Sequence, residues 1–592
     1  MKKIYYLLLA CSIVLLAACK KEIPNEPDQP GEQKADTTKP YVPLTEWERA
    51  DSMYTIADWT VPSHTMLKIA IKACADAPSE ANLEEMRQKI KELVPKTEPY
   101  CMVATINGDP KTRMGFAWFT NEGVMDGEIQ LVPKDNATEE DFEGGDVITV
   151  QAAAYQPKKG ICYTGICSYI SKKTGLPTSL KYKYVSHKGT ATGLMPGTVY
   201  SWRVGYKDSD NNGHWSKIAR FRTEDANQGE FSFIYMTDSH IMNAEYIKYA
   251  RRCALAAVKT VPEARFCVFP GDFVEDGTMK NSEWEWERWF EEALNPVIMN
   301  MAIAPTDGNH DDSPNLNYTL HFNTDNEFYY NITNKTQFEG IVYNFVYGDA
   351  LFLVFSMQDF WREEYNYVTK TSVYLTEHVS PWFRKSVTEN PNTKYRISLA
   401  HFNLFSGSDH SVDKEPPLFR ACMLPTMKDC EIDVALQGHD HTYEVIGPVN
   451  NDTANILPLL DAVTGREEVG GGTEKNMTGY KGGTYRTDDG TLYFIGATCG
   501  RKRYGPHTRE RMETEYTEDP QLLLDNHHHN VKNYFDLFTG MFGQPGSPSF
   551  TKITVKEDCI EFNSYTADDD QGNVTLYNTM KVVRTQPHGT PN

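Results

Sequence analysis

The sequence predicts an α/β layer domain over 229–586 preceded by an all-β sandwich over 99–225, and three observations lead there. From 229 onward the runs FSFIYMT, RFCVF, VIMNMAIA, LFLVFS, YRISLA and VALQ are apolar throughout rather than alternating. Strands buried on both faces read this way. Helix-like stretches such as AEYIKYARRCALAAVKTV and NSEWEWERWFEEALN separate several of them, which is the pattern of a layered fold. Between 99 and 225 the texture differs: RMGFAWFT, ITVQAAAY, TVYSWRVGY and IARFRT are short, alternate, and sit between Gly, Asn, Asp and Pro turn signals. A length of 592 residues leaves room for both domains and more.

The N-terminus reads MKKIYYLLLACSIVLLAACKKE, with Lys2 and Lys3 ahead of an apolar stretch, Ile4 to Leu16, too short to span a bilayer comfortably. Residues 1–18 therefore read as a signal peptide. Leu16-Ala17-Ala18-Cys19 resembles a bacterial lipobox, which implies cleavage before Cys19 and lipidation of Cys19; an ordinary secretory signal is the alternative. Residues 19–43, rich in Pro, Glu, Asp, Gln and Thr, cannot form a core and read as a flexible tether. Lys20 rather than Asp follows Cys19, and the resemblance to lipoproteins of diderm bacteria then implies the outer membrane of the cell envelope, on either leaflet. No later run is long and apolar enough for a transmembrane helix, so membrane contact is expected through the lipid anchor only. Export exposes cysteines to an oxidising compartment, where the ten besides Cys11 and Cys19 can pair, Cys162 with Cys167 locally.

Residues 44–98 carry apolar positions at helical spacing in MLKIAIKACADAPSEANLEEMRQKIKELV, broken near Pro78, and suggest no chemistry. In the all-β segment, HKGTATGLMPGTVYSWRVGYKDSDNNGHWSKIARFRT resembles the end of a fibronectin type III-like domain. GLMPGTVYSWRV then supplies a corner and the following strand, with Tyr200 and Trp202 in the sandwich core. The tryptophans at 284, 286 and 289 read as helix packing. Net charge is −22, which argues against a nucleic-acid-binding surface, since such surfaces cluster Lys and Arg.

Five of the apolar runs end in a polar cluster. They lead into Asp238-Ser239-His240, Gly271-Asp272, Gly308-Asn309-His310-Asp311, His401, and Gly438-His439-Asp440-His441. Ligands of open α/β sheets bind outside the carboxyl ends of strands, so five such clusters converge on one rim. One strand-end Asp is usually a helix cap and one His usually a satisfied core residue. Five in order, each offering carboxylate, imidazole or amide, are not explained by capping.

The series D-x-H, G-D, G-N-H-D, H and G-H-x-H resembles the calcineurin-like metallophosphoesterase superfamily over residues 236–443, and the all-β domain before it resembles the architecture of purple acid phosphatases. The resemblance implies a metallophosphoesterase β-sandwich flanked by helices (αββα), preceded by the fibronectin type III-like domain. It further implies two divalent metal ions. Asp238, His240, Asp272 and His441 would hold one, and Asn309, His401, His439 and the same Asp272 the other. The donor types suit Mn, Fe or Zn. A shared carboxylate fits ions about 3.5–4 Å apart, which can lower the pKa of a bound water to about 7 and clamp phosphoryl oxygens. The function implied is phosphoester hydrolysis of a small-molecule or polymer substrate, with hydroxide attacking phosphorus and His310 as the acid; Asp311 or Glu275 would orient His310. Alternatives are a phosphodiesterase on the same site and an inert surface binding protein. Two departures stand out. His240 replaces the glycine of the purple D-x-G, and Glu275 in GDFVE replaces the tyrosine that colours their iron, so a colourless site is expected.

Further on, LYFIGATCGRKRYGPHTRERM makes Arg501, Lys502, Arg503 and His507 a basic island in an acidic chain. It reads either as a solvated loop or as a rim binding substrate anion through Arg501, Arg503 and His507. His527, His528 and His529 read as a surface loop. SFTKITVKEDCIEFNSYTA and LYNTMKVVRT alternate and are expected to close the sandwich behind the site.

Overall fold

The computed structural model describes residues 72–74, 76–77, 79–85, 99–121, 123–155, 164–165, 180–181, 184–275, 282–311, 316–327, 330–331, 337–338, 342–357, 371–408, 410, 415–451, 483–488, 490–504 and 539–591. The signal peptide, the tether with Cys19, Cys162, Cys167, His507 and the three histidines at 527–529 lie outside these residues.

The apolar runs form two facing sheets. In the larger, Phe231–Tyr235, Phe266–Pro270 and Ala302–Thr306 lie side by side and parallel. Ser549–Val555 pairs antiparallel with the first of these, followed by Ile560–Ala567 and Val574–Val583, so the C-terminal runs extend the sheet as expected. In the smaller sheet, Ala350–Phe355, Tyr395–Leu399, Val434–Gln437 and Thr491–Gly496 are parallel neighbours. Aromatic rings fill the space between the sheets, with Phe233 5.3 Å from Phe352 and Phe266 5.6 Å from Phe345. Residues of opposite parity, Ile234, Cys267 and Phe269, share a core cluster with Ala250, Cys253 and Ala257 of the helix Ala244–Thr260. Likewise Leu351, Leu353 and Phe355 share it with Trp382 and Phe383 of the helix Ser380–Glu389. Strands with both faces buried explain why these runs are apolar rather than alternating. The architecture is the αββα sandwich.

VIMNMAIA is not one strand: Asn295–Ile298 is helical, and the strand starts at Ala302. Pro296 in the helix's first turn favours that start. The all-β segment is continuous with the larger sheet, because Tyr100–Thr105 pairs parallel with Ala302–Thr306 and then leads to Met114–Asn121 and Tyr184–Ala191. Met114–Asn121 faces a second, five-stranded sheet centred on Val199–Lys207, where Phe116 packs 4.9 Å from Trp202. Tyr200 and Trp202 are buried there, and the Tyr200 hydroxyl accepts a hydrogen bond from Met195 N at the corner. Finally, six cysteines do not pair as expected: Cys253, Cys267, Cys422, Cys430, Cys499 and Cys559 are buried free thiols. They sit in the apolar core as small hydrophobes, where no partner sulfur is bonded.

Of the segment 44–98, residues 72–74, 76 and 80–85 are helical. Among the described residues no helix is long and apolar enough to cross a membrane.

Candidate active site

Parallel strands place their carboxyl ends on one edge, and both sheets present that edge to the same space. Main-chain bonds tie the loops together: Asp238 N donates to Gly271 O at 3.2 Å, His240 N to Asp272 O at 3.1 Å, Gly438 N to His401 O at 2.9 Å. Cys499 N donates to Thr237 O at 2.9 Å and so joins the two sheets at this rim. Gly308 is required by its neighbours, since a Cβ there would lie 2.2 Å from Asp272 Oδ1. Trp289 and Trp286 are buried as helix packing predicts, and Trp289 Nε1 also donates to Ser239 Oγ at 3.0 Å. The side chain of Trp284 lies outside the described residues.

The five sequence clusters converge. Asp238, His240, Asp272 and His441 bring one donor atom each within 4.8 Å of one another, and so do Asp272, His401 and His439. Asp272 belongs to both groups. His240 Nε2 and His401 Nε2 each lie 3.2 Å from Asp272 Oδ2, and His441 Nε2 lies 3.3 Å from Asp238 Oδ1. Asn309 Oδ1 is 3.1 Å from His401 Nε2, which puts the amide oxygen in the second group. Four of these residues hold left-handed backbone, with φ of 57° at Asp238, 45° at His240, 51° at Asp272 and 70° at His439. Each costs on the order of 1–3 kcal/mol and persists where the surroundings dictate it, typically at functional sites.

The electrostatics fit a cation. Burial disfavours charge on Asp238 and Asp272, yet the imidazoles around them hold both carboxyls below the usual range. Burial also pushes imidazoles toward the neutral form, and it prevails at His439, His441 and His310, the last two brought down to about 4. At His401 and His240 it is outweighed by Asp272, which raises His401 to about 9 and His240 well above the ordinary value. Two buried carboxylates neutralised only by protons on neighbouring imidazoles form a donor set that metal ions would complete, displacing those protons. The residues present fit divalent ions with oxygen and nitrogen preference.

Around this cluster the structure assigns other side chains. His310 donates its backbone N–H to Asp272 Oδ1 at 3.0 Å, and its ring Nδ1 lies 2.5 Å from the Glu275 carbonyl. Asp311 does not orient that ring. Its carboxylate accepts from the N–H groups of Gly308, Asp272 and Phe273, each at 2.7 Å, and of Val274 at 3.3 Å. It clamps the two loops rather than touching reacting atoms, which corrects the catalytic role expected of it. Arg501 and Arg503 are likewise not brought to the cluster. Arg501 Nε pairs with Glu245 Oε1 at 2.7 Å, and the Arg503 guanidinium lies over Tyr249, both partners on the helix Ala244–Thr260. The adjacent Lys502 is the basic side chain that reaches the site, 3.4 Å from Glu275 Oε1.

Two aromatic rings were not legible as site residues. His410 stacks on His439 with centroids 3.8 Å apart, and Tyr504 stacks on His441 at 4.3 Å. Asp440 holds the loop that carries His410, accepting from His410 N and Asn403 Nδ2 at 3.0 Å each and from Ser406 Oγ. The histidine follows nine positions after His401 with no motif around it, so only the fold brings it in.

The chain resembles known proteins in sequence family and in fold. Residues 231–443 match the family described as calcineurin-like phosphoesterase, and residues 99–223 match the purple acid phosphatase N-terminal domain. No curated protein matches the sequence. Among solved structures, a purple acid phosphatase from yellow lupin seeds is similar at 13% identity and a TM-score of 0.55, covering 83% of this chain and 75% of that one. At that identity it speaks for the fold alone. GAP50, the anchor in the inner membrane complex of Plasmodium, is 12% identical with a TM-score of 0.34, covering 59% of this chain and 89% of that one, a likeness too slight to bear on function.

Proposed function

We infer that this phosphoesterase, a calcineurin-like domain joined to a purple acid phosphatase N-terminal domain, hydrolyses phosphoesters at a two-ion centre. The observation that carries the reading is Asp272, one buried carboxylate common to two adjacent donor groups. Asp238, His240, Asp272 and His441 would hold one ion; Asp272, Asn309, His401 and His439 would hold the other. Divalent ions in such a pair supply Lewis acidity, which activates water near neutral pH and neutralises phosphoryl charge.

The remaining steps belong to the chain's own residues. Asp311 fixes the loops so that Asp272 and His310 keep their spacing. His310 has Nδ1 committed to the Glu275 carbonyl, which leaves Nε2 to hold the proton for the leaving oxygen. Burial favours its neutral ring, and the negative charge of an arriving phosphate shifts the balance toward the protonated one. His410 and Tyr504, stacked on two ligand histidines, wall the space beside them.

The test is hydrolysis of aryl phosphate monoesters and diesters by purified protein, with Mn, Zn or Fe added in turn across pH. Metal-dependent turnover of at least one ester class is expected, and its ratio over the other distinguishes phosphatase from diesterase. No turnover under any of these conditions would contradict the reading and leave the inert binding protein. Because Glu275 rather than a tyrosine lies beside His240, iron-loaded protein is expected to lack a strong visible charge-transfer band. A purple solution bleached by Glu275→Ala or His240→Ala would overturn the ligand assignment.

The proposal for location rests on residues 1–43. Cys19 becomes the first residue of the mature chain and carries acyl groups, since one acyl chain gives only marginal attachment. Residues 20–43 then space an acidic enzyme away from the outer membrane. Cys19→Ala is expected to move the protein from the membrane to the soluble fraction. If wild type is equally soluble, and mass spectrometry finds its N-terminus unacylated, an ordinary secretory signal takes the place of the lipobox.

A further inference from the structure

Three imidazoles of the site are oriented by two residues, Glu275 and Lys502, which the reaction itself does not use. His240 Nδ1 lies 2.7 Å from Glu275 Oε2, His310 Nδ1 lies 2.5 Å from the Glu275 carbonyl, and His441 Nδ1 lies 3.0 Å from the Lys502 carbonyl. The Lys502 ammonium, 3.4 Å from Glu275 Oε1, links the two. Each of these acceptors requires a proton on Nδ1, which leaves Nε2 as the atom available for a ligand bond. The Nε2 atoms do face the cluster: His240 Nε2 is 3.2 Å from Asp272 Oδ2, and His441 Nε2 is 3.3 Å from Asp238 Oδ1.

We propose that Glu275 and Lys502 are positioning residues for the ion held by Asp238, His240, Asp272 and His441. The carboxylate fixes the tautomer and ring orientation of His240, and the ammonium holds the carboxylate to that task. The proposal rests on the two-ion reading of the site.

Glu275, His240 and His310 also bring one donor atom each within 4.8 Å of one another, but Glu275 stands apart from the ion placed between Asp238, His240, Asp272 and His441. Its carboxylate meets His240 at Nδ1, on the other side of the ring from the nitrogen that faces Asp272. Nor does the ion pair explain itself as a stability device, because a partly exposed Lys–Glu pair contributes little. Side chains of Lys502 and Glu275 are 24% and 20% exposed, so they pay some desolvation without the gain of a dry interior. The second donor group is built differently. There His401 Nδ1 meets a main-chain acceptor, the carbonyl of Pro270, at 2.7 Å. Substitution of the pair should therefore weaken one ion and spare the other, an asymmetry that a general loss of structure would not produce.

The test is calorimetric titration of metal-free protein with Mn2+, together with metal analysis after dialysis and thermal midpoints of the metal-free forms. Wild type is expected to bind two ions. Glu275→Ala should weaken one of them by about 10–100-fold, the usual loss when a ligand histidine's partner is removed, and leave the other unchanged. Lys502→Met should act on the same ion in the same direction, and Lys502→Arg should restore it. The His310 contact survives in every variant, since it uses the main chain of Glu275. Should Glu275→Ala not fold, Glu275→Met and Lys502→Met keep much of the side-chain volume without an acceptor for His240 or a charge for Glu275, and carry the same test. Wild type binding two ions with unchanged affinities in the variants would overturn the proposal alone. So would complete loss of that ion in Glu275→Ala with no effect of Lys502→Met, which would make Glu275 a ligand. Wild type binding fewer than two ions would overturn the two-ion reading, and the proposal with it.

Discussion

Asp272→Asn is expected to remove most bound metal and nearly all phosphoester hydrolysis while leaving the fold intact. One carboxylate serves both donor groups, so its charge cannot be lost from one ion alone. If the pair of ions contributes even about 4 kcal/mol of charge stabilisation, the loss is on the order of 10³-fold in rate. The amide keeps the volume of the carboxylate and can still accept from His310 N. Deleting a buried charge that holds His401 protonated removes that imidazole's counter-ion, so the thermal midpoint of the metal-free protein should fall while the protein still folds. Metal analysis, turnover and a melting curve on one preparation check all three. Two bound ions with turnover intact would show that Asp272 is not the bridge.

The second large effect separates binding from chemistry. His310→Ala is expected to retain both ions, because its ring belongs to neither of the two donor groups that share Asp272. Turnover should fall by roughly 10²–10⁴-fold, the range typical of losing a general acid–base group. The deficit should shrink as the leaving group improves, since a good leaving group needs little protonation. A series of aryl phosphates of graded leaving-group acidity reads this directly, and an equal loss across the series would remove His310 from the acid role.

Much of this site could be read from the chain because its parts are local. A strand with both faces buried is a contiguous apolar run, and the residue that ends it is adjacent in sequence, so Asp238, Asp272, Asn309, His401 and His439 announce themselves at five strand ends. Parallel packing then brings the ends to one rim without further information. What could not be read is carried by main-chain atoms or by distant loops. The acceptors of His310 and His441 are carbonyls of Glu275 and Lys502, and a carbonyl has no side-chain signature. Asp311 sits inside the motif, but its bonds go to backbone N–H groups rather than to His310. The basic island was visible as composition, whereas which cation turns inward depends on Glu245 and Tyr249 of the helix Ala244–Thr260. Continuity of the all-β segment with the larger sheet depends on pairing Thr105 with Ile303, nearly two hundred positions apart, which no local pattern encodes.

The central claim is that two ions act together on one phosphoester. Turnover measured as metal-free protein is titrated with Mn2+, on the same samples in which bound metal per chain is counted, tests it most directly. Activity is expected to stay near background while the first ion binds and to rise to its plateau as the ratio reaches two. A plateau reached at one ion per chain, or full turnover in protein stripped of metal, would contradict the account.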